Sequence, residues 1–187
     1  ALRNWAMGGS AQSFYEAGIR SAQLDQRTNS QYGQKVDEYM SVEEPVAYAY
    51  TDPMDHTNDI ASVTKIGVKW NEGDTPETKL EKIITQKYIA NFPMSAEAWT
   101  TFRRTGYPRI FPVDVNNMKD QGVDTELQLR RIPIEETANN TLEIASLVQA
   151  LGQPNTGASR VFWDKQTETR GEQSPDNEFT LVIPVNF

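Results

Sequence analysis

The sequence contains no cysteine and a single histidine, His56, among 187 residues. Without cysteine there can be no disulfide, thiol nucleophile or cysteine-ligated zinc or iron–sulfur site. A Ser-His-Asp triad would have to use His56, which lies in the polar stretch TDPMDHTND, and no G-x-S-x-G motif accompanies it. The sequence therefore predicts no catalytic residue and no cofactor.

Positive charge is also scarce. Lys and Arg number 18 against 26 Asp and Glu, which gives a formal net charge of -8. Such a field repels a phosphate backbone, and the basic residues occur in scattered pairs instead of a stripe, so we expect no nucleic-acid partner. A neutral ligand such as a sugar or a peptide is still compatible with this charge. No apolar run approaches the roughly 20 residues that cross a bilayer as a helix.

The first part of the chain, residues 1–26, has the pattern of two helices joined by a glycine turn. Ser10 is a good N-cap, and Tyr15 and Ile19 then fall on one face of the second helix. A single helical hairpin cannot bury its apolar faces, so it needs neighbours. Because no capping residue precedes the first apolar residues, we expect the chain to begin inside a larger protein.

Residues 27–74 are rich in Asn, Gln, Ser, Asp and Gly, and predict a long loop region with a short helix at KVDEYM and weak strands at PVAYAY and IGVKW. Long loops in compact domains are often functional. Sugars stack on aromatic rings while amides and carboxylates bind their hydroxyls. On this chemistry the candidate ligand-binding residues are Tyr32, Tyr48, Tyr50 and Trp70. The alternative is that these rings anchor the loop to the core.

Three carboxylates surround His56 in the same region, namely Asp52, Asp55 and Asp59. Carboxylate oxygens are the ligands that calcium prefers, although this spacing differs from that of an EF-hand loop. We keep calcium as an alternative reading of these residues, beside the reading of a solvated polar loop.

Residues 75–187 predict further helices and a terminal strand at FTLVIPVNF. Thr75 and Pro76 open one helix, Ser95 is expected to cap the next, and Asn140 with Glu143 resembles a capping box for a third. The second of these helices carries Trp99 and ends at Gly106, since Pro108 forbids its continuation. We assign a structural role to this stretch, in particular to Trp99, Arg103, Arg104, Gly106, Tyr107 and Pro108.

Two arginine pairs, Arg103-Arg104 and Arg130-Arg131, stand out in so acidic a chain. Arginines in the last turn of a helix offset its dipole, whereas a phosphate site would use glycines and a helix N-terminus. We therefore expect the first pair to stabilise the fold, so that Arg104→Ala lowers stability more than ligand affinity. A hydrolase would need two carboxylates across a cleft, and Glu43-Glu44 and Glu135-Glu136 are candidates that nothing in the sequence brings together.

Several motifs together carry a resemblance to a known family. They are SFYEAGIRSA, KLEKIITQKYIANFPMSAEAWTTFRRTGYPR, RRIP followed by Glu135 and Asn140, VFWD, and the ending PVNF. In this order they resemble the C-terminal part of a SusD/RagB-like outer-membrane lipoprotein of Bacteroidetes. EAW followed by RRTGYP is the most specific of them, and the resemblance spans nearly the whole chain.

The resemblance implies a mainly α fold, in which tetratricopeptide-like helical hairpins pack with a loop-rich α region and a few short strands. Residues 1–26 would be the last hairpin, 27–74 the ligand-facing loops and 75–187 the helical C-terminal region of one domain. It also implies a non-catalytic protein on the outer-membrane surface, anchored by an upstream lipidated cysteine. Its partners would be a SusC-like TonB-dependent transporter, a glycan or oligosaccharide, and the missing N-terminal part of the same protein.

Two other readings share much of this sequence evidence. One is a peptide-binding member of the same family, which would have the same motifs. The family has no common ligand-contact motif that could be carried over to this chain. A helical-repeat scaffold without a small ligand would also contain helical hairpins. An aromatic-lined pocket would favour the ligand-binding readings over the scaffold.

Overall fold

The fold is mainly α-helical, as predicted. The computed structural model describes residues 8–24, 35–161 and 164. Five α-helices lie in these ranges, with 3-10 turns at His56–Asn58 and Lys119–Gln121. The helices are α1 (Ala11–Leu24), α2 (Val36–Met40), α3 (Pro76–Ala90), α4 (Ser95–Thr105) and α5 (Thr141–Leu151). None of the described helices is long and apolar enough to span a membrane.

The chain divides into two compact units. The first comprises 1–101 with 107–110, and the second comprises 102–106 with 111–187. Two predicted elements lie outside the described residues, namely the first helix, before Gly8, and the terminal strand FTLVIPVNF.

The core of the first unit forms where α1 packs against α2 and α3. Tyr15 and Ile19 are buried on the predicted face of α1, together with Trp70 from the loop region. The Tyr15 hydroxyl donates to the Val68 carbonyl oxygen at 2.7 Å, and the Tyr39 hydroxyl donates to Gln86 Oε1 at 2.9 Å. These bonds satisfy the polar ends of two rings that are otherwise packed in an apolar environment.

The beginnings of α1 and α3 follow local sequence chemistry. Ser10 Oγ accepts the Ser13 N–H at 3.0 Å, and Thr75 Oγ1 accepts the Thr78 N–H at 3.1 Å, so both act as N-caps. Ser95 was predicted to cap α4, but it is the first residue of that helix, so the helix begins one position earlier than predicted.

The capping box predicted for α5 does not form. The Asn140 side chain accepts the Thr137 N–H at 2.7 Å and donates to the Glu135 carbonyl at 2.9 Å, so it closes the preceding turn. The helix ends at Gly152, whose φ of 64° is in the left-handed region that glycine tolerates.

The predicted strands at PVAYAY and IGVKW are absent from the loop region as the structure describes it. One antiparallel bridge pairs Tyr50 with Ile60, and the N–H groups of Val68 and Lys69 both donate to the Val42 carbonyl at 2.8 Å. Gly67 explains this close approach: a Cβ there would lie 2.0 Å from the Glu43 carbonyl oxygen. The two segments thus touch backbone to backbone without a continuous ladder.

The second unit contains the end of α4, helix α5 and the loops on either side of α5. Phe102, Val123 and Ile144 are its buried apolar residues. Gly157 is packed so tightly that an added Cβ would lie 2.5 Å from a methyl carbon of Leu129. The Gly157 carbonyl accepts the Arg130 N–H at 2.8 Å, which attaches the 129–131 segment to the loop after α5.

Candidate functional site

Among the described residues of the loop region, the most exposed aromatic side chains lie in the segment 46–60. Tyr48 is 76% exposed and Tyr50 is 41% exposed, and Val46 and Met54 are exposed beside them in the sequence. Large apolar side chains in a solvent-exposed loop can bury their surface against a ligand without giving up contacts in the protein core. We take this segment, the 46–60 loop, as the candidate ligand-binding loop.

The loop is closed at its base by a reciprocal pair of backbone hydrogen bonds. The Tyr50 N–H donates to the Ile60 carbonyl at 2.9 Å, and the Ile60 N–H donates back at 3.0 Å. Between them the Asp52 carboxylate accepts the N–H groups of Met54 at 2.8 Å and Asp55 at 3.2 Å. Tyr50 therefore lies at the base of the loop, where backbone hydrogen bonds fix its position.

The aspartates of this loop serve the backbone. Asp55 Oδ1 accepts the Thr57 N–H at 3.0 Å, and Asp59 Oδ1 accepts the Asp52 N–H at 2.7 Å. Hydrogen bonds from backbone N–H groups hold the pKa values of the Asp52 and Asp55 carboxyls below their ordinary range. Both groups are thus charged at neutral pH and are used to shape the turn.

These contacts bear on the calcium hypothesis for Asp52, Asp55 and Asp59. Several of their carboxylate oxygens already accept protein N–H groups, and Asp59 Oδ2 lies 3.3 Å from His56 Nδ1. Within the described ranges no three histidine, cysteine, aspartate or glutamate side chains are grouped so that they could hold a metal ion. The local geometry therefore explains the aspartates as turn-forming residues.

Trp70 is placed differently from the other candidate ligand-binding residues. It is 7% exposed and packs on Tyr15 with a ring-centroid distance of 5.1 Å, and its Nε1 donates to Glu72 Oε1 at 3.0 Å. The structure thus corrects the interpretation of Trp70, which is a core residue. Tyr32 lies outside the described residues, so Tyr48 and Tyr50 are the exposed candidates in the described loop.

Charged residues surround the edge of Trp70 in a polar cavity of about 530 Å³. Lys82 Nζ lies 2.6 Å from Asp74 Oδ2, Lys79 Nζ lies 2.8 Å from Glu72 Oε2, and Lys69 pairs with Glu43. Glu43, one of the carboxylates considered for hydrolysis, is therefore an ion-pair partner of lysine. The sequence showed these charges but carried no signal of their pairing, since Glu72 and Asp74 precede the helix that carries Lys79 and Lys82, and Glu43 lies 26 positions from Lys69.

A family model for SusD-like proteins, described as SusD and RagB outer membrane lipoproteins, matches residues 1–164. The chain belongs to the SusD-like family. No curated protein matched the chain.

Solved structures of relatives agree with this assignment. A chitin-binding SusD homolog from Flavobacterium johnsoniae is 40% identical, with a TM-score of 0.79 over 89% of this chain and 34% of that one. A SusD homolog from Bacteroides uniformis is 37% identical, with a TM-score of 0.75 over 88% of this chain and 34% of that one. This SusD-like chain thus spans about a third of the length of these relatives.

The arginine pairs of the SusD-like chain meet each other in the second unit through one member of each pair. Arg103 Nη1 donates to the Arg130 carbonyl at 2.6 Å, and Arg130 Nη2 donates to the Arg103 carbonyl at 2.6 Å. Arg130 also forms a two-point contact with the Asp164 carboxylate, with Nε to Oδ2 at 2.8 Å and Nη2 to Oδ1 as the second bond. The Asp164 side chain is 0% exposed.

The two members of the first pair have different environments. Arg103 is 7% exposed, and its desolvation lowers the pKa of its guanidinium, although the charge of Asp164 opposes this. Arg104 is exposed. Because Arg103 makes the buried contacts, we expect the loss of stability for Arg103→Ala instead of Arg104→Ala.

The other residues assigned a structural role lie around the end of α4. Gly106 has a φ of 75°, and its N–H donates to the Phe102 carbonyl at 2.7 Å, which ends the helix. Tyr107 is 1% exposed, and its hydroxyl donates to Glu77 Oε1 at 2.7 Å. Pro108 follows a cis peptide bond and is buried, whereas Trp99 is half-buried.

Proposed function

We propose that this protein binds glycans at the outer-membrane surface without chemical turnover and passes them to a SusC-like TonB-dependent transporter. The observation that carries the proposal is the 46–60 loop, in which the exposed Tyr48 lies just before the Tyr50–Ile60 bridge and the exposed Tyr50 forms one side of it. Aromatic rings of this kind provide stacking surface for the apolar face of a sugar. Membership in a family of outer membrane lipoproteins supports the location.

The loop geometry suits recognition because its conformation is already fixed. The bridge and the hydrogen bonds of Asp52 define the backbone before a ligand arrives, so less conformational entropy is lost on binding. Its carboxylates are committed to backbone N–H groups, which leaves them poorly suited to act as a general acid or nucleophile. These features favour capture over hydrolysis.

Oligomers of N-acetylglucosamine are the first ligands to test, because a relative with 40% identity is a chitin-binding protein. We would titrate the full-length protein with these oligomers, with other neutral glycans and with short peptides, using calorimetry. Saturable binding of a glycan without product release is the expected result. Product release would revive the hydrolase reading, peptide binding alone would support the peptide-binding alternative, and no binding at all would favour a scaffold.

The tyrosines are tested with matched substitutions at one position. Tyr48→Phe keeps the ring and should retain most of the affinity, whereas Tyr48→Ala removes the stacking surface. Since an aromatic pair contributes about 0.5–1.5 kcal/mol beyond buried area, we expect Tyr48→Ala to weaken binding roughly 2- to 10-fold. Equal affinity for both variants would exclude Tyr48 from the site.

The transporter partnership requires its own experiment. The full-length protein and the SusC-like transporter with which it is produced should co-elute as a complex in size-exclusion chromatography in detergent. Separate elution at micromolar concentrations would argue against a stable partnership.

A further inference from the structure

The second unit exposes more large apolar side chains than it buries, among the residues that the structure describes. Its buried apolar side chains there are those of Phe102, Val123 and Ile144. The exposed ones are those of Val113, Val115, Ile132, Ile134, Leu142 and Leu151. Covering apolar surface is favourable, so a further apolar segment of the same unit would find surface to pack against.

Two of the exposed side chains lie on one backbone segment that is held in place. Ile132 is 70% exposed and Ile134 is 47% exposed. The Asn155 side chain binds both backbone groups of Ile134, because its Oδ1 accepts the N–H at 3.0 Å and its Nδ2 donates to the carbonyl at 2.7 Å. We call these two side chains the Ile132–Ile134 surface. Since its backbone is already fixed, covering it costs little conformational entropy.

This surface lies close to the point from which the chain continues. Arg130 precedes Ile132 by two positions, and its guanidinium binds the carboxylate of Asp164, with Nε at 2.8 Å from Oδ2. Asp164 is the last described residue, and residues 165–187 follow it in the sequence. The remainder of the chain therefore starts beside the segment that carries the Ile132–Ile134 surface.

The sequence after Asp164 has two parts of opposite character. Residues 165–178, KQTETRGEQSPDNE, contain no large apolar side chain, whereas residues 179–187, FTLVIPVNF, contain six and no charge. At about 3.3–3.6 Å per residue, the first part can span roughly 45–50 Å, so it does not limit where the second part packs. An uncharged apolar segment joined to the second unit by a polar linker gains free energy by packing on that unit.

We propose that the 179–187 segment packs on the Ile132–Ile134 surface and covers both isoleucines. Surface and segment belong to one chain, so the linker gives them an effective concentration of about millimolar, which a separate protein would have to exceed. The Arg130–Asp164 contact fixes the start of the linker beside the surface. This inference is independent of glycan binding, which is proposed for a loop in the other unit.

The contact is tested first by cross-linking. The sequence contains no cysteine, and mass spectrometry identifies the peptides that an engineered disulfide joins. Ile134→Cys is combined in the full-length protein with a cysteine at Leu181, Ile183 or Val185 in turn, and mild oxidation should link at least one pair. The matched control combines the same three positions with Leu142→Cys, because Leu142 is 80% exposed on another part of the unit, and these pairs should link much more slowly.

A stability comparison tests the same contact without cysteine. The double variant Ile132→Ser with Ile134→Ser should lower the thermal midpoint by about 2–4 °C in the full-length protein. In a protein that lacks residues 179–187 the same substitutions should change the midpoint little, because the isoleucines are then exposed in any case. The dependence of one change on the other is the sign that the two groups touch.

The outcomes distinguish the possible occupants of this surface. Equal cross-linking of Ile134→Cys and Leu142→Cys, or the same loss of thermal midpoint with and without residues 179–187, would overturn the proposal. A concentration-dependent dimer that the serine substitutions abolish would assign the surface to a second copy of the chain. Loss of co-elution with the transporter in the serine variant would assign it to that protein. Either result would also overturn the proposal, and glycan affinity should stay the same in all of these variants.

Discussion

The buried contact between Arg130 and Asp164 makes a strong prediction about stability. Arg130→Ala removes both bonds to the Asp164 carboxylate and the bonds from its guanidinium to the carbonyls of Arg103 and Leu127. The Asp164 side chain is 0% exposed, so water cannot replace the lost partner without rearrangement. Removing one member of a buried ion pair costs about 3–5 kcal/mol.

One feature of the site reduces that figure. Arg160 Nη1 lies 3.3 Å from Asp164 Oδ1 and remains as a counter-charge when Arg130 is removed. We therefore expect a loss near 3 kcal/mol in the free energy of unfolding, the lower end of the range. The assay is urea denaturation of the full-length protein, followed by tryptophan fluorescence and by circular dichroism, to test whether the two signals report one transition.

The adjacent residue supplies a matched control. Arg131→Ala loses the one side-chain bond that Arg131 makes to the described residues, from its Nη2 to Asn155 Oδ1 at 2.9 Å, so its cost should be about 0.5–1.5 kcal/mol. A double substitution, Arg130→Met with Asp164→Leu, should be less destabilising than Arg130→Ala, because no unpaired charge remains buried. If Arg130→Ala costs no more than Arg131→Ala, or if the double variant is the least stable, the reasoning about the buried pair is refuted.

Four further predictions concern packing and charge in the first unit. Gly67→Ala should destabilise by more than 2 kcal/mol in urea denaturation, about the scale of core overpacking, because its Cβ would lie 2.0 Å from the Glu43 carbonyl oxygen. Gly18→Ala, with open space around its Cβ, should instead stabilise α1 by about 0.5–1 kcal/mol. Burial disfavours the charged carboxylate of Glu81 and raises its pKa above the ordinary value of 4.5. The free energy of unfolding is therefore higher at low pH, where Glu81 is protonated. As pH rises from 4.5 through the raised pKa, the wild type should lose stability relative to Glu81→Gln; a constant difference in pH-dependent denaturation would contradict this. Trp70→Phe should lower the thermal midpoint and leave glycan affinity unchanged, whereas the reverse pattern in calorimetry would return Trp70 to the ligand site.

The sequence predicted those parts of the fold that depend on neighbouring residues. The face of α1 with Tyr15 and Ile19 and the start of α3 at Thr75 follow from helical periodicity and from a hydroxyl that caps its own first turn. The end of α4 at Gly106 is equally local. Each of these signals spans fewer than ten residues, which a sequence pattern can show.

Features that depend on distant partners were not predictable in this way. Trp70 and Tyr48 are both aromatic residues in polar surroundings, and only the contact of Trp70 with Tyr15 separates a core ring from an exposed one. In the same way, adjacent arginines look equivalent in the sequence, but Arg103 reaches the carbonyl of Arg130, 27 positions away. The Asn140 capping box failed because the same side chain had a better geometry for the preceding turn.

The Tyr50–Ile60 bridge also has a consequence for protein engineering. Because two backbone hydrogen bonds join the residues at its ends, the segment 51–59 leaves and re-enters the first unit at one point. Lengthening a loop whose ends are already joined costs little, about 0.6 kcal/mol for each doubling. The segment can therefore be exchanged for a longer or differently charged one while its base is kept, so this position would accept a grafted recognition sequence.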